Sequence, residues 1–308
     1  MAEIIFHHYP NSPFSEKIRL IFGFKKLAWQ SVVIPAIMPK PKLMPLTGGY
    51  RRTPVMQIGA DIYCDSALIA DVLERIAPTP TLYPAAVEGA SRILAQWADS
   101  TLFWTMITYL FQPAGVQSAL GNMSPEQVKA FGADRAAFRG SMPRMTLPEA
   151  TASLSLYLQR LENMLAGGQD YLFGSAPSIA DFSVYHSVWF LRAAPPVAGI
   201  LDAAPRLLAW ADRMAAFGHG DLEKMNADRA LEVARESSGA AYDAPFVDHH
   251  GVQPGDKVAI MPTDYGIDPV EGELVLATGT ELAVRRHDEL AGTVVVHFPR
   301  IGFQMKKA

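Results

Sequence analysis

The sequence contains one cysteine among its 308 residues and lacks a long apolar run. A single cysteine excludes an internal disulfide framework. No apolar run approaches the roughly 18 to 20 residues that a membrane-spanning helix needs. The chain opens MAEIIFHHYP, without the basic segment, apolar core and cleavage site of a secretory signal. We therefore expect a cytoplasmic protein with no membrane association.

A strong charge of either sign is also missing. Lys and Arg total 27 against 31 Asp and Glu, which gives a net charge of −4. Residues 1–84 hold nine basic against six acidic residues, too small a surplus for the dense basic face that binds nucleic acid. We expect no nucleic-acid partner. The length and the 49% hydrophobic content allow two or three domains with a sizeable core.

The turn NSPFS at 11–15 is the most informative stretch. It follows the apolar run IIF and precedes the amphipathic segment EKIRLIFGFKK. Ser12 is expected to be an N-cap, and Pro13 the first helical residue, where its missing N–H costs nothing. Free N–H groups and the helix dipole favour an anion at such a helix start. This arrangement suits a hydroxyl that stabilises a thiolate.

The surrounding residues predict alternating strands and helices. We expect a turn or a cis bond at Thr53-Pro54 and a helix that starts at Asp65-Ser66. The predicted strands lie near 3–8, 29–34, 54–58 and 62–64, and the predicted helices near 13–24 and 65–77. A proline-rich loop without regular structure over most of its length should follow the second strand.

The segments SPFSEKIRL, TPVMQI and CDSALIADVLE, in this order and spacing, resemble the thioredoxin-like domain of serine-type glutathione S-transferases. The resemblance covers residues 1 to about 84 specifically, and a helical region to about 236 more loosely. It implies glutathione as cosubstrate, without a metal, a small hydrophobic electrophile as second substrate, and a homodimer. The family normally ends before the β-rich residues that follow.

The expected fold is an α/β thioredoxin-like N-terminal domain, an all-α helical domain and a small all-β C-terminal module. We assign these to residues 1–80, 88–238 and 245–308. The helical domain should contain a long helix at 88–112, an irregular stretch at 113–147, and helices near 148–166, 178–192, 205–217 and 221–236. Ser178 and Asp181 form a capping-box pattern. The module should have four or five strands, and its role stays open.

The resemblance implies that Ser12 is the hydroxyl that activates glutathione, with Ser15 and Asn11 as alternatives for contacting the sulfur. Free thiols have a pKa near 8.5, and only the thiolate attacks electrophiles. Each unit by which the pKa falls needs about 1.4 kcal/mol of preferential anion stabilisation. A charge-assisted hydrogen bond supplies roughly that much, so one serine suffices without a general base.

The resemblance also implies the residues that hold the tripeptide. The backbone of Thr53, before Pro54, should bind the cysteinyl part, and the pair Asp65 and Ser66 the γ-glutamyl end. The basic contact to the glycyl carboxylate remains open among three residues, which are Lys40, Lys42 and Arg52. The plain alternative is that the serine and the aspartate only cap helices and that the cations are solvated.

The electrophile pocket is expected between the first two domains. Phe14 should line it together with the 88–112 helix, in particular Phe103 and Tyr109, with Trp104, Met106, Thr108 and Phe111 as further candidates. An aromatic-rich helix can equally be core. The histidines show no ligand spacing for a metal site. Cys64 is expected to be a buried small hydrophobe.

Two other functions stay open from the sequence. A glutathione-dependent isomerase or dehalogenase needs the same thiolate with a different pocket. A non-catalytic binding or scaffold protein could retain the fold and use 241–308 as its interaction surface.

Overall fold

One sheet of ten strands runs through the residues that the computed structural model describes, which are 3–120, 123–240, 242, 244–247 and 249–308. Some residues of the predicted domains and of the predicted 113–147 stretch lie outside these described ranges. The strands are β1 (Ile5–His8), β2 (Ala28–Val33), β3 (Val55–Ile58), β4 (Asp61–Cys64), β5 (Asp221–Lys224), β6 (Lys257–Pro262), β7 (Val270–Ala277), β8 (Glu281–Asp288), β9 (Gly292–Pro299) and β10 (Phe303–Lys307). Their order in the sheet is β10-β6-β7-β8-β9-β4-β3-β1-β2-β5.

Most helices lie between the fourth and fifth strands. They are α1 (Pro13–Phe24), α2 (Met44–Thr47), α3 (Ser66–Ile76), α4 (Glu88–Trp97), α5 (Phe103–Leu110), α6 (Pro113–Leu120), α7 (Pro125–Arg139), α8 (Leu147–Met164), α9 (Ile179–Arg192), α10 (Pro195–Ala198), α11 (Pro205–Ala215) and α12 (Ala227–Glu236). A π-helical segment, Ala98–Leu102, joins α4 to α5. Within the described residues, no helix has the length and hydropathy that a membrane span requires.

The N-terminal elements form the expected thioredoxin-like domain. Strand β1 pairs in parallel with β2 and antiparallel with β3, which pairs antiparallel with β4. Side chains alternate between the two faces of a strand. Accordingly, Ile4 and Phe6 join the core shared with the helical domain. Ile5 points to a second core shared with the C-terminal strands, so both faces of the sheet are covered.

The C-terminal region forms five strands, in agreement with the expected four or five, and they continue the first sheet. Strand β9 pairs in parallel with β4, with Asp61 opposite Val295 and Tyr63 opposite His297. The β module thus covers the edge of β4, which would otherwise leave backbone groups unpaired. We use "β module" below for strands β6–β10 and their connections.

The helix expected near 221–236 was wrong in its first part. Residues Asp221–Lys224 form β5, which pairs in parallel with β2 at the other end of the sheet. The helix α12 begins only after Asn226, whose side chain accepts a hydrogen bond from the backbone N–H of Asp228 at 2.9 Å. Pairing with the edge of β2 overrides the local helical pattern, since strand formation depends strongly on tertiary context.

The expectation of an irregular stretch at 113–147 was also wrong, because it contains α6 and α7. Its prolines at 113 and 125 are the first residues of these helices, a position where proline is favoured. Ser124 caps α7 in a capping box with Gln127, with hydrogen bonds of 3.3 and 2.8 Å. Two of the prolines in this stretch therefore mark helix starts.

The predicted caps elsewhere are confirmed. The Asp181 carboxylate accepts from the backbone N–H of Ser178 at 2.9 Å, at the start of α9. It also accepts from the indole N–H of Trp210 and the backbone N–H of Leu172, each at 2.9 Å. Asp181 is fully buried, so this one side chain joins α9 to α11 and to the connection before α9.

A buried polar cluster joins the β module to the thioredoxin-like domain. The ring of His297 lies between two carboxylates, with Nδ1 2.8 Å from Glu281 Oε1 and Nε2 3.2 Å from Asp61 Oδ1. The hydroxyl of Tyr242 donates to Asp61 and lies 3.0 Å from His297 Nε2. Arg75 contacts Glu281 at 3.1 Å. We call these five residues the His297 cluster.

Candidate active site

Ser12 stands at the start of α1, as predicted. Its backbone is extended, and its Oγ accepts a hydrogen bond from the backbone N–H of Ser15 at 3.2 Å, with Pro13 as the first helical residue. Ser12 is only 1% exposed. Among the described residues, no group accepts the proton of its hydroxyl. The helix start therefore holds a buried O–H whose donor capacity is unused.

A second hydroxyl lies at the same helix end. The Oγ of Ser15 is buried and has no hydrogen-bond partner among the described residues. Buried polar atoms without partners are rare, and each one calls for an explanation such as a function or a missing ligand. The start of α1 thus carries two buried hydroxyls with unused hydrogen-bonding capacity, at the end of the helix where the dipole favours an anion.

The Thr53-Pro54 bond is cis, one of the two alternatives predicted. Lys40 is buried beside it, and its Nζ donates to the backbone carbonyl of Arg51 at 2.9 Å and to Thr53 Oγ1 at 2.8 Å. Burial, with Arg135 and Arg51 nearby, lowers the pKa of Lys40 to about 7. Its ammonium is thus engaged in holding the segment that precedes the cis bond.

Asp65 and Ser66 start α3 in the position predicted for them. The Asp65 carboxylate accepts from the backbone N–H of Ala67 at 2.9 Å, and its φ of 78° is unusual for a residue other than glycine. Such backbone outliers cost of order 1–3 kcal/mol and cluster at functional sites. Burial raises the pKa of Asp65. Ser66 Oγ accepts a hydrogen bond from Lys17 at 3.3 Å.

Lys17 belongs to a polar cluster between the domains that sequence reasoning did not find. Its Nζ lies 2.6 Å from Asp99 Oδ2, and Asp99 also contacts His186 at 3.0 Å and Ser183 at 3.2 Å. Burial opposes the charge of Asp99, but the charges and hydrogen bonds of Lys17 and His186 together lower the pKa of Asp99 to about 2. Nothing in the local sequence around 99 or 186 indicates that these residues meet.

Of the three residues predicted to line the electrophile pocket, Phe14 and Phe103 lie against each other, whereas Tyr109 has another partner. Phe14 lies with its ring centroid 4.7 Å from that of Phe103 and 4.7 Å from that of His186. Tyr109, one and a half turns after Phe103, instead donates its hydroxyl to the backbone carbonyl of Val197 at 3.1 Å. Phe14 and Phe103 therefore form an aromatic wall between the two domains.

The predicted cations have different partners. Lys42 forms an exposed ion pair with Asp228 of α12 at 2.5 Å. Arg52, beside the cis bond, donates to the carboxylate of Asp264 and to the backbone carbonyl of Tyr265. Both of these residues belong to the β6–β7 loop, residues 263–269. The C-terminal module thus reaches the site, a contact that the sequence left open.

Helix α7 covers the neighbouring part of the cleft. Its Asp134 pairs with Arg51 and accepts from the backbone N–H of Met38 at 3.1 Å. The ring of Phe138 lies 5.0 Å from the Arg51 guanidinium. The described residues contain no group of three or more His, Cys, Asp or Glu that could hold a metal.

The chain resembles known proteins over its full length. It matches the glutathione S-transferase N-terminal domain family over residues 6–81 and the C-terminal domain family over 144–213. A GST-like protein from Pseudomonas syringae is 44% identical over 100% of both chains, with a TM-score of 0.85. A glutathione S-transferase from Rhodospirillum rubrum is 17% identical, over 69% of this chain and 88% of that one, with a TM-score of 0.52.

Rice GST1 in complex with glutathione is 19% identical over 70% of this chain and 88% of that one, with a TM-score of 0.52. These last two similarities show the shared fold. No curated protein matches the chain. From its match to both glutathione S-transferase domain families and its 44% identity to a GST-like protein over the full length, the chain belongs to the glutathione S-transferase superfamily.

Proposed function

We propose that the protein binds glutathione and that Ser12 activates its thiol for attack on a small hydrophobic electrophile. The observation that carries this proposal is the unused donor capacity of the Ser12 hydroxyl, buried at the start of α1 beside the unpartnered Ser15 hydroxyl. A thiolate placed there accepts the serine proton as a charge-assisted hydrogen bond. The N-terminal dipole of α1 adds to the stabilisation.

The remaining contacts follow the three parts of the tripeptide. The backbone of Thr53 binds the cysteinyl part, and Asp65 and Ser66 bind the ammonium and carboxylate of the γ-glutamyl end. We assign the glycyl carboxylate to Arg52, because its Nε is buried without a hydrogen-bond partner among the described residues, although its Nη2 donates to the β6–β7 loop. Lys42 is half exposed and is paired with α12.

The proposed reaction is a nucleophilic substitution or addition. The thiol loses its proton to solvent on binding, and the sulfur lone pair forms the new bond to the electrophilic carbon. In a substitution the leaving group departs with the bonding electron pair; in an addition the resulting carbanion takes a proton from solvent. Phe14 and Phe103 provide an apolar wall for the electrophile.

The test combines binding with turnover. Glutathione binding is measured by calorimetry, and conjugation with 1-chloro-2,4-dinitrobenzene as the electrophile. We expect Ser12→Ala to retain binding but to lose most turnover, and Ser12→Thr, which keeps the hydroxyl, to recover part of it. Equal turnover in wild type and Ser12→Ala would show that this serine does not activate the thiol.

A non-catalytic binding protein is the second candidate. It is favoured by the near-complete burial of Ser12 and by the contacts that the β module makes to Arg52. This candidate predicts no saturable glutathione binding. The family resemblance also supports a cytoplasmic location and a homodimer. Light scattering after size-exclusion chromatography gives the molar mass and thereby tests the homodimer.

A further inference from the structure

The β6–β7 loop combines an exposed surface with two buried residues. Thr263, Asp264 and residues 267–269 are exposed, whereas Tyr265 and Gly266 are buried. The buried pair faces the cleft between the thioredoxin-like and helical domains. The loop therefore inserts one aromatic side chain into the region proposed above to bind glutathione and its electrophile.

The loop supplies hydrogen-bond acceptors to Arg52, the cation that we assign to the glycyl carboxylate. Arg52 donates to the Asp264 carboxylate and to the Tyr265 carbonyl, and its guanidinium lies 3.8 Å from the centre of the Tyr265 ring. Its Nε is buried without a hydrogen-bond partner among the described residues. A bidentate ligand carboxylate would take the edge of the guanidinium formed by Nε and Nη2. Because Asp264 already accepts from Nη2, Asp264 and such a ligand carboxylate compete for Arg52.

The loop also occupies aromatic surface. The Tyr265 ring packs edge-on against Trp104 of α5, with centroids 4.9 Å apart, and against Phe138 of α7 at 5.1 Å. Trp104 follows Phe103, which forms the apolar wall with Phe14. An aryl group attached to the glutathione sulfur would find the same kind of ring surface.

The β6–β7 loop and α7 together cover the cleft, and they bury few apolar side chains. The backbone N–H of Gly266 donates to the carbonyl of Phe138 at 2.7 Å. Helix α7 has no buried residue, and Tyr265 is the only large side chain that the loop buries. Elements with few buried apolar contacts open at low free energy, so we expect the cover to open more readily than either domain unfolds.

We propose that the β6–β7 loop is an internal occupant of the ligand site. Asp264 holds the place of the ligand carboxylate, and Tyr265 holds the place of an aromatic substituent on the sulfur. The ligand class that displaces the loop is accordingly an S-aryl or S-benzyl thioether of glutathione. This inference rests on the proposed function.

The first test is the affinity of loop variants. Calorimetry with glutathione and with S-(4-nitrobenzyl)glutathione compares wild type with Asp264→Asn and Tyr265→Ala. Only molecules in which the loop is open bind the ligand, so the apparent affinity is the intrinsic affinity multiplied by the open fraction. We therefore expect Tyr265→Ala to bind both ligands about tenfold more tightly than wild type. Asp264→Asn should tighten binding by a few-fold. The matched control is Asp268→Asn, which removes the same charge from an exposed position of the same loop.

The second test needs no variant. Hydrogen exchange of the wild-type protein is followed at residues 263–269 with and without S-(4-nitrobenzyl)glutathione, and the amide of Gly266 should exchange faster when the thioether is bound. Unchanged affinity in both variants, or increased protection of the loop by the ligand, overturns the inference while leaving the proposed function intact. Absence of glutathione binding in wild type and in every variant overturns both.

Discussion

Replacing His297 by Gln should weaken the attachment of the β module more than any exposed histidine substitution does. The ring of His297 is 1% exposed and bridges Glu281 on β8 and Asp61 on β4. Those two carboxylates have side-chain exposures of 8% and 7%. Without the imidazolium, two negative charges remain buried next to a neutral amide.

The magnitude follows from the loss of one partner in a buried ion cluster. Removing such a partner typically costs about 3–5 kcal/mol, because the remaining charge is left uncompensated. Arg75 contacts Glu281 from a half-exposed position and compensates part of this loss. We therefore expect about 3 kcal/mol for His297→Gln, at the lower end of that range.

The pH dependence gives a second signature. Burial alone would lower the pKa of His297, but the hydrogen bonds and charges of Asp61 and Glu281 raise it. Conversely, although burial opposes their charge, the hydrogen bonds from His297 contribute to holding the pKa of both carboxyls below its usual value. The contribution of His297 to the free energy of unfolding is complete below about pH 6.5, which is the pKa of histidine in the unfolded chain. This contribution is lost as the pH rises through the pKa of His297 in the folded protein. The carboxylate contribution is complete above about pH 4 and is lost on acidification.

Urea unfolding followed by circular dichroism measures the effect. The control is His287→Gln, at an exposed position of β8, where the ring's hydrogen bond within the described residues is to Thr293 Oγ1 at 3.2 Å. The difference between wild type and His297→Gln should be largest between about pH 4.5 and 6.5 and should decline at higher pH. A His297→Gln loss no greater than that of His287→Gln, or one independent of pH, would refute this reasoning.

Two further predictions concern caps and the single thiol. Asp181→Ala leaves the buried donors of Ser178, Leu172 and Trp210 without an acceptor, and urea unfolding should show a loss of at least about 3 kcal/mol of stability. Ser124→Ala, at an exposed capping box, should cost only about 1 kcal/mol. Equal losses would contradict the first expectation. Burial raises the pKa of the Cys64 thiol well above its usual value, so Ellman's reagent should react with it only after unfolding; fast reaction in native buffer would contradict this.

The thioredoxin-like domain could be predicted from the sequence because its signals are local. Ser12 and Pro13 indicate a helix start, and the apolar run Ile4–Phe6 indicates a strand, both faces of which are buried in the structure. Capping and side-chain alternation depend on neighbouring residues in the chain. Such patterns remain readable in a single sequence.

The errors arose where local signals have two meanings. The stretch 113–147 was expected to be irregular, although Pro113 and Pro125 are first helical residues, a position where proline is favoured. Asp221–Lys224 carried a helical pattern but pairs with β2 across the sheet. This pairing joins residues about 190 positions apart, and no local propensity encodes it.

The candidate site was predictable where it lies on the first domain, and beyond that domain at Phe103, whose ring lies against that of Phe14 as expected. Ser12, Thr53, Asp65 and Ser66 follow from their motif positions. The Lys17–Asp99 contact and the approach of Tyr265 to Arg52 depend on how three separate regions pack together. A tyrosine in a loop of the β module carries no sequence signal that it reaches the cleft.

The most direct test of the central claim is the pKa of bound glutathione, followed through the ultraviolet absorbance of the thiolate as pH is varied. A charge-assisted hydrogen bond contributes about 1.5–3 kcal/mol, which corresponds to a thiol pKa of about 6.5–7.5 instead of 8.5. The account predicts this value in wild type and a return towards about 8.5 in Ser12→Ala, while Ser15→Ala stays close to wild type. A bound thiol that titrates like free glutathione in the wild-type protein would contradict it.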